Sequence, residues 1–440
     1  MIDHTPSDIS GARSIALDLL EDIFKRKRPL EEAFAHKKGL EKLAERDRQF
    51  VRLLTTTTLR HLGEIDHAIG QFLEKPLPPR ASMAKDILRL GAAQSLFLNT
   101  PAYAVVDSMV SLAGQRPDSR GFKSLINAVL RKISTGKDHL LQNQPQGAIS
   151  LPDWLWQSWI KAYGIDHAKA IAISHLQEPP LDFSVKGDLE YWAEKLNATI
   201  MPTGTLRILN RQEHPSRIED LPGYREGGWW IQDLAASLPV KMGGLLRNKK
   251  ILDICAAPGG KTAQLAAGGA DVWALERARG RMERLQQNFT RLKLKAYFEL
   301  SDANFWNGPQ DFDLVLLDAP CSATGTIRRH PDIAWVKEPK EIPSLSQAQG
   351  RLLKTAYKHL KPGGMLIYCV CSLQPEEGEK QIDEWLAIHD DMRRLPLQQG
   401  ELPGMDSALT PKGDLRTFPH FLPDWGGMDG FYAARLIKHA

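Results

Sequence analysis

Leu252-Asp253-Ile254-Cys255-Ala256-Ala257-Pro258-Gly259-Gly260-Lys261-Thr262 is the stretch on which the fold turns. Lys250 to Ile254 is an apolar run of strand length. It breaks into a turn of small residues, and a helical pattern follows from Thr262 to Ala267. A turn built this way lets backbone amides approach a ligand closely, and the helix start behind it favours a carboxylate or phosphate. Gly260-Lys261-Thr262 resembles the end of a phosphate loop, but the leading Gly is missing: that position is Cys255 or Ala256. A nucleoside triphosphate is therefore disfavoured. The turn by itself leaves two readings: a site for a nucleotide-like cofactor, or a tight connection with no ligand.

Strand-like runs follow at Asp271 to Glu276, Ala296 to Leu300, Phe312 to Asp318 and Met365 to Cys371. A helical stretch, Gln349 to Leu360, and a Pro362-Gly363-Gly364 turn precede the last of them. Phe418 to Leu422 and Gly430 to Ile437 end the chain around a Gly-rich turn. This alternation predicts a doubly wound α/β domain closed by an antiparallel pair. Upstream, residues 10 to about 135 repeat apolar side chains at helical spacing and are broken at Lys75 to Pro79, which predicts an all-α bundle. Residues 137–150 are polar and read as a linker. Trp154, Trp156 and Trp159 follow on helical spacing suited to core or hinge packing, with RNA stacking the less favoured reading. Residues 181–235 alternate short β-like runs with a helical stretch near Tyr191 to Leu196. The expectation is a multidomain chain: a bundle over 1–140, linker helices and a small α+β domain over 141–235, and a Rossmann-like α/β domain over 236–440.

Acidic residues and thiols fall just past the predicted strand ends. Glu276 is placed to accept both ribose hydroxyls of an adenosine cofactor, and Asp302 an adenine amino group. Asp318-Ala319-Pro320-Cys321 and Cys369-Val370-Cys371 follow two further strands, so Cys321 and Cys371 are expected on one rim of a parallel sheet. Two thiols beside an adenosine site suit methylation of cytosine at C5. That carbon is a poor nucleophile until a thiolate adds at C6, and a base must afterwards remove the C5 proton so that the thiolate can leave. Asp318, protonated or sharing a proton, is placed to bind the ring nitrogen N3. The competing reading makes both cysteines small buried fillers. A Cys369-x-Cys371 metal pair lacks further ligands nearby, and no metal is expected.

Composition agrees with a globular chain: 42% of residues are apolar and 25% charged, which excludes extended disorder. No apolar run approaches the ~20 residues needed to span a bilayer, and Met1 to Ser14 is polar, unlike a secretion signal. Four cysteines do not make a disulfide framework. A cytoplasmic monomer is the expectation. Residues 1–140 carry a net charge of +5 and the rest −1, which fits a polyanionic partner without requiring one.

The wording and order of LDICAAPGGKT (252–262), ALE (274–276), SDA (301–303), LLDAPCSATGTIRRHPDI (316–333), YCVCSLQPEEGE (368–379), LRTFPH (415–420) and GMDGFY (427–432) resemble the RNA cytosine-5 methyltransferase family. The bundle, notably NAVLR (127–131), is similar to the NusB-type RNA-binding fold, and the whole arrangement resembles the bacterial Sun-type branch. The resemblance spans nearly the whole chain. It implies S-adenosyl-L-methionine as cofactor and a cytosine in small-subunit (16S) ribosomal RNA as substrate. It also implies Cys371 as nucleophile, Cys321 as the thiol that assists release, and Cys255, Ala256, Ala257, Pro258, Gly259, Gly260, Lys261, Glu276, Asp302 and Asp318 as the lining of the cofactor site. Enzymes of this chemistry that act on DNA place the nucleophile in the Pro-Cys motif, here Cys321; the bundle points to RNA. Two positions depart from the pattern: Val370 stands where Thr is usual, and Glu276 where Asp is common. Arg328, Arg329 and His330 are candidates for phosphate contacts near the target base, and the Lys25 to Arg28 run is a weaker one.

Overall fold

Alternation of apolar side chains along the central strands decides the architecture of the C-terminal half. Ile251, Leu314, Leu316 and Ile367 join one apolar cluster, while Leu252, Ile254, Val315, Leu317 and Leu366 join another. Each strand is thus buried on both faces, the mark of a parallel sheet covered by helices on both sides. In the computed structural model, which describes residues 9–144, 147–209, 214 and 217–439, the chain forms two compact units. One takes the chain up to Gln177 together with Ile327–Glu338. The other takes Glu178–Thr326 and the chain from Pro339 onward. The readings of Met1 to Ser14 and of the 137–150 linker fall partly outside the described residues.

The second unit carries two sheets. Strands β1 (Leu181–Val185), β2 (Thr199–Ile200), β3 (Leu206–Ile208) and β4 (Trp229–Ile231) form a small antiparallel sheet in the order β2-β3-β1-β4. The larger sheet is built from β5 (Lys250–Ile254), β6 (Asp271–Glu276), β7 (Tyr297–Leu300), β8 (Phe312–Asp318), β9 (Leu360–Val370), β10 (Met392–Arg394), β11 (Leu415–Thr417) and β12 (Phe431–Lys438). Its order is β10-β12-β9-β8-β5-β6-β7, with β11 also paired to β12. Strands β5 to β9 run parallel, and β12 returns antiparallel beside β9. The order reverses between β5 and β8, and ligands of such sheets bind beyond the strand ends at that point. Helices Leu234–Lys241 and Gly260–Ala267 pack on one face, and Glu341–His359 and Glu379–Leu386 on the other.

Two details differ from the sequence reading. Strand β3 has only three residues, too few for a periodic signal. The Pro362-Gly363-Gly364 turn lies inside β9, where pairing with β8 shifts register and Gly363 takes φ +72°. The bulge absorbs residues that otherwise read as a strand boundary.

The first unit is the predicted bundle, with its core along helices Ile9–Arg26, Glu45–Arg60, Ser82–Leu96, Ala102–Gln115 and Lys123–Thr135. Leu155 and Trp159 are buried, as core packing requires. Chain 141–177 groups with the bundle, whereas 178–235 groups with the α/β sheet, so the expected middle domain is shared between two units. Sequence reasoning had no signal for the presence of Ile327–Glu338 in the bundle unit. Val336 joins the bundle's core, Trp335 Nε1 donates to the Leu59 carbonyl at 2.9 Å, and Asp332 Oδ2 accepts the Leu30 N–H at 2.9 Å.

Candidate active site

The sheet register brings the chemical residues to one rim. Asp253 on β5, Asp318 at the end of β8 and Cys369 on β9 sit near neighbouring strand ends, and Asp318 pairs directly with Cys369. Cys371 follows β9 and Cys321 follows β8. Their sulfurs lie 3.6 Å apart. Short backbone contacts hold the two loops: Ala319 N–H donates to the Cys369 carbonyl at 2.9 Å and Gly325 N–H to the Cys371 carbonyl at 3.0 Å. Gly325 in turn accepts from Gly430 N–H at 2.8 Å. A Cβ on Gly325 would lie 1.9 Å from the Gly430 oxygen, so only glycine fits there.

The Cys321 thiol is raised well above its usual range. The largest cause is its hydrogen bond with Cys371, followed by burial and by the charges of Cys371 and Glu377. Cys321 is therefore the sulfur that keeps its proton. Cys369 is fully buried, its thiol raised by burial and by Asp318, and its Sγ sits 3.5 Å from Asp318 Oδ1. Lys261, from the first turn of the helix after β5, places Nζ 2.9 Å from Asp318 Oδ2 and 4.8 Å from the Phe431 ring centre. Burial alone would lower the Lys261 ammonium, but Asp318 and neighbouring sulfurs leave it raised, so it keeps its proton. Lys261 and Asp318 thus form an ion pair at the rim.

The turn after β5 is built as expected. Cys255 takes φ +65° and Gly259 φ +105°, and a Cβ on Gly259 would lie 2.4 Å from Leu285 Cδ1. Burial pushes the Cys255 thiol up to about 12, with Glu276 and Asp318 adding, so it is inert as a nucleophile. Asp253 is fully buried. Its Oδ2 accepts the Thr262 hydroxyl at 2.6 Å, and its Oδ1 has no hydrogen-bond partner. Burial raises its carboxyl to about 7; Asp318 and Glu276 add to the shift, against Thr262 and Lys261. In Glu276, Oε1 accepts the Ala278 N–H at 3.0 Å, while buried Oε2 has no hydrogen-bond partner and lies 3.7 Å from Arg281 Nη1. Asp302 uses Oδ1 to cap the turn Ala303–Phe305, accepting from Asn304 N–H at 2.9 Å.

The basic residues past Cys321 correct the sequence reading in part. Arg328 is fully buried, and its carbonyl accepts from Arg60 Nη1 at 2.7 Å. Burial and the Arg329 charge lower His330 to about 4, so it is neutral at physiological pH. Only Arg329 is exposed. Side chains in the Lys25 to Arg28 run each lie near a carboxylate: Glu21, Asp22, Glu338 and Glu32. Among the described residues no cluster of His, Cys, Asp or Glu could hold a metal, and no helix is long and apolar enough to cross a membrane. The sequence reading assigned no role to Asp253, to Gly325 or to Glu377. Asp253 and Glu377 were visible only as letters within motifs quoted for other residues.

Comparison with known proteins agrees with this geometry. Residues 245–437 match the family described as 16S rRNA methyltransferase RsmB/F, and residues 10–135 the NusB family. The chain is 33% identical to ribosomal RNA small subunit methyltransferase B of Serratia proteamaculans, over 90% of this chain and 92% of that one. Among solved structures, PH0851 superposes with a TM-score of 0.73 at 23% identity, covering 99% of this chain and 100% of that one. A methyltransferase homolog from Pyrococcus horikoshii gives 0.52 at 24% identity, over 68% and 98%. These two share the fold.

Proposed function

Because the chain belongs to the 16S rRNA methyltransferase RsmB/F family, we propose that it transfers a methyl group from S-adenosyl-L-methionine to C5 of a cytosine in small-subunit (16S) ribosomal RNA, by way of a covalent bond between Cys371 and C6 of the base. The observation that carries this reading is the 3.6 Å separation of the Cys321 and Cys371 sulfurs, beside the Lys261–Asp318 pair. With ribosomal RNA as substrate, the proposed compartment is the cytoplasm.

The residues suit the cofactor. Oε2 of Glu276, which lacks a hydrogen-bond partner and faces Arg281 at 3.7 Å, is where a ribose hydroxyl would donate. The Cys255-to-Lys261 turn offers backbone amides, and Asp302 a carboxylate for an adenine amino group. When bound, S-adenosylmethionine supplies the electrophilic methyl that C5 takes up.

The chain's own groups make C5 reactive. Cys371 as thiolate adds to C6, and the C5=C6 π pair moves into conjugation with C4 and N3. A proton passed to N3 from the Lys261–Asp318 pair completes the enamine. Once C5 carries both hydrogen and methyl, the Cys371 sulfur is alkylated and no longer charged. Cys321 then loses its proton to solvent, the Cys371 hydrogen bond and charge that opposed its ionisation having gone while burial and Glu377 still oppose it. It takes the C5 proton, the C–H pair re-forms C5=C6, Cys371 leaves as thiolate, and the N3 proton returns to the Asp318–Lys261 pair. Both thiols end as they began. Arg329, the exposed member of the basic run, is proposed to contact an RNA phosphate.

The test uses full-length protein, labelled S-adenosylmethionine and ribosomal RNA lacking the modification. Cys371→Ala is expected to abolish both transfer and the adduct. Cys321→Ala is expected to accumulate an RNA–protein adduct that survives denaturing electrophoresis. The reverse pattern would exchange the two roles, and absence of label at cytosine C5 with the unaltered protein would remove the reading.

A further inference from the structure

One buried carboxylate beside the thiols takes no part in that chemistry. Glu377 is fully buried. Its Oε1 accepts the Ser322 main-chain N–H at 2.9 Å and Gln349 Nε2 at 3.0 Å. Its Oε2 accepts the hydroxyls of Ser322 and of Ser372, the latter at 2.6 Å. Ser322 follows Cys321 and Ser372 follows Cys371, and their hydroxyls lie 3.0 Å apart. Gln349 also donates to the Pro320 carbonyl at 2.9 Å, and Tyr368 Oη to the Glu377 carbonyl at 2.6 Å. The carboxylate therefore grips the residue after each cysteine and, through Gln349, the residue before one of them.

Burying a carboxylate among neutral donors is expensive, and apolar side chains fill such space at least as stably. Fold stability is thus a poor reason for its place. A rigid acceptor that holds two loops at one point is a better one, because sulfur placement within a few tenths of an ångström governs attack on a ring carbon. We propose that Glu377 is a positioning residue: by tying Ser322 and Ser372 to one carboxylate it sets the separation and orientation of the Cys321 and Cys371 sulfurs. The role rests on the two-thiol reading above. The Glu377 charge also contributes to keeping Cys321 protonated, behind the Cys371 hydrogen bond and burial.

Glu377→Gln keeps the shape but replaces one oxygen with a donor, so two N–H groups and two hydroxyls can no longer all be accepted. Two readouts on the full chain separate the outcomes. In the first, diamide takes one hydrogen from each thiol and leaves a Cys321–Cys371 disulfide, whose formation rate, followed by mass spectrometry, reports thiol placement without any methyl transfer. In the second, steady-state kinetics separates kcat from KM. The expected result is cross-linking about 10-fold slower and kcat about 100-fold lower, with KM for S-adenosylmethionine unchanged. A residue that serves only the fold would instead lower the melting temperature and leave kcat per folded molecule intact. Unchanged or faster cross-linking overturns the proposal. If Glu377→Gln does not fold, the Ser322→Ala, Ser372→Ala double variant removes both hydroxyl arms and is read by the same two outcomes. Slowed cross-linking in a protein that never labels C5 would keep the positioning role and reject the methylation reading. Normal cross-linking alongside normal C5 labelling would do the opposite.

Discussion

The two halves of the sheet rim treat buried acceptors in opposite ways. At the ends of β5 and β6, Asp253 Oδ1 and Glu276 Oε2 are buried with no hydrogen-bond partner. Beyond β8 and β9, Glu377 meets four donors and the thiol loops are laced by backbone bonds. Unmet buried acceptors cost free energy and persist where a ligand completes them. Saturated networks cost nothing further at the moment of reaction and fix geometry in advance. The rim thus pairs an open half, which suits ligand binding, with a closed half, which suits covalent chemistry. The two should respond differently to substitution: the open half in KM, the closed half in kcat.

The closed half is broken most directly at Gly325. An added methyl meets the Gly430 oxygen at 1.9 Å, so Gly325→Ala must displace one backbone or the other and with it the Cys371 carbonyl that Gly325 holds. Overpacking of this kind destabilises by about 1–3 kcal/mol, and the displaced thiol loop should lower kcat by about 100-fold. Melting temperature and kcat measured together check this. A variant that retains kcat would mean that the closed half tolerates slack.

Glu276→Gln is the matching change in the open half and has a smaller expected effect. The amide still accepts from Ala278 N–H but puts a donor in place of Oε2, which has no hydrogen-bond partner and faces Arg281 at 3.7 Å. Loss of a charge-assisted hydrogen bond of about 1.5–3 kcal/mol raises KM for S-adenosylmethionine by about 10- to 100-fold, with kcat little changed. A fall in kcat at constant KM would erase the distinction between the two halves.

The open half was far more legible in the sequence than the closed one. Each proposed cofactor contact sits at or just past the end of its own strand in a local pattern, so the turn after β5, Glu276 and Asp302 can be found one at a time. The closed half consists of contacts between segments far apart in the chain: Glu377 with Ser322, Gly325 with Gly430, Lys261 with Asp318. No periodicity records such pairs. The same limit explains Arg328. A basic run after a catalytic loop reads as a surface for phosphates, yet its first member is buried because Ile327–Glu338 belongs to the bundle unit. Tertiary grouping overrode a local pattern there, as it did for chain 141–177.

The smallest effect, and the finest probe of the open half, is the pH dependence of stability at Asp253. In the unfolded chain this carboxyl titrates near 3.8; in the folded chain burial raises it to about 7. Between about pH 4 and pH 7 the folded state therefore holds a proton that the unfolded state has released. Stability contributed by this group falls as pH rises through that window and stays low above it. Asp253→Asn removes the titration while keeping an oxygen for the Thr262 hydroxyl. Its new N–H pair carries a cost that does not depend on pH. Other groups that titrate in the window act equally on both proteins and cancel in the difference. The melting temperature of the variant should therefore rise relative to the unaltered protein as pH goes from 5 to 8, whatever the offset between them. Parallel curves would mean that the Asp253 carboxyl is satisfied in solution, and the open half would then owe its unmet acceptors to Glu276 alone.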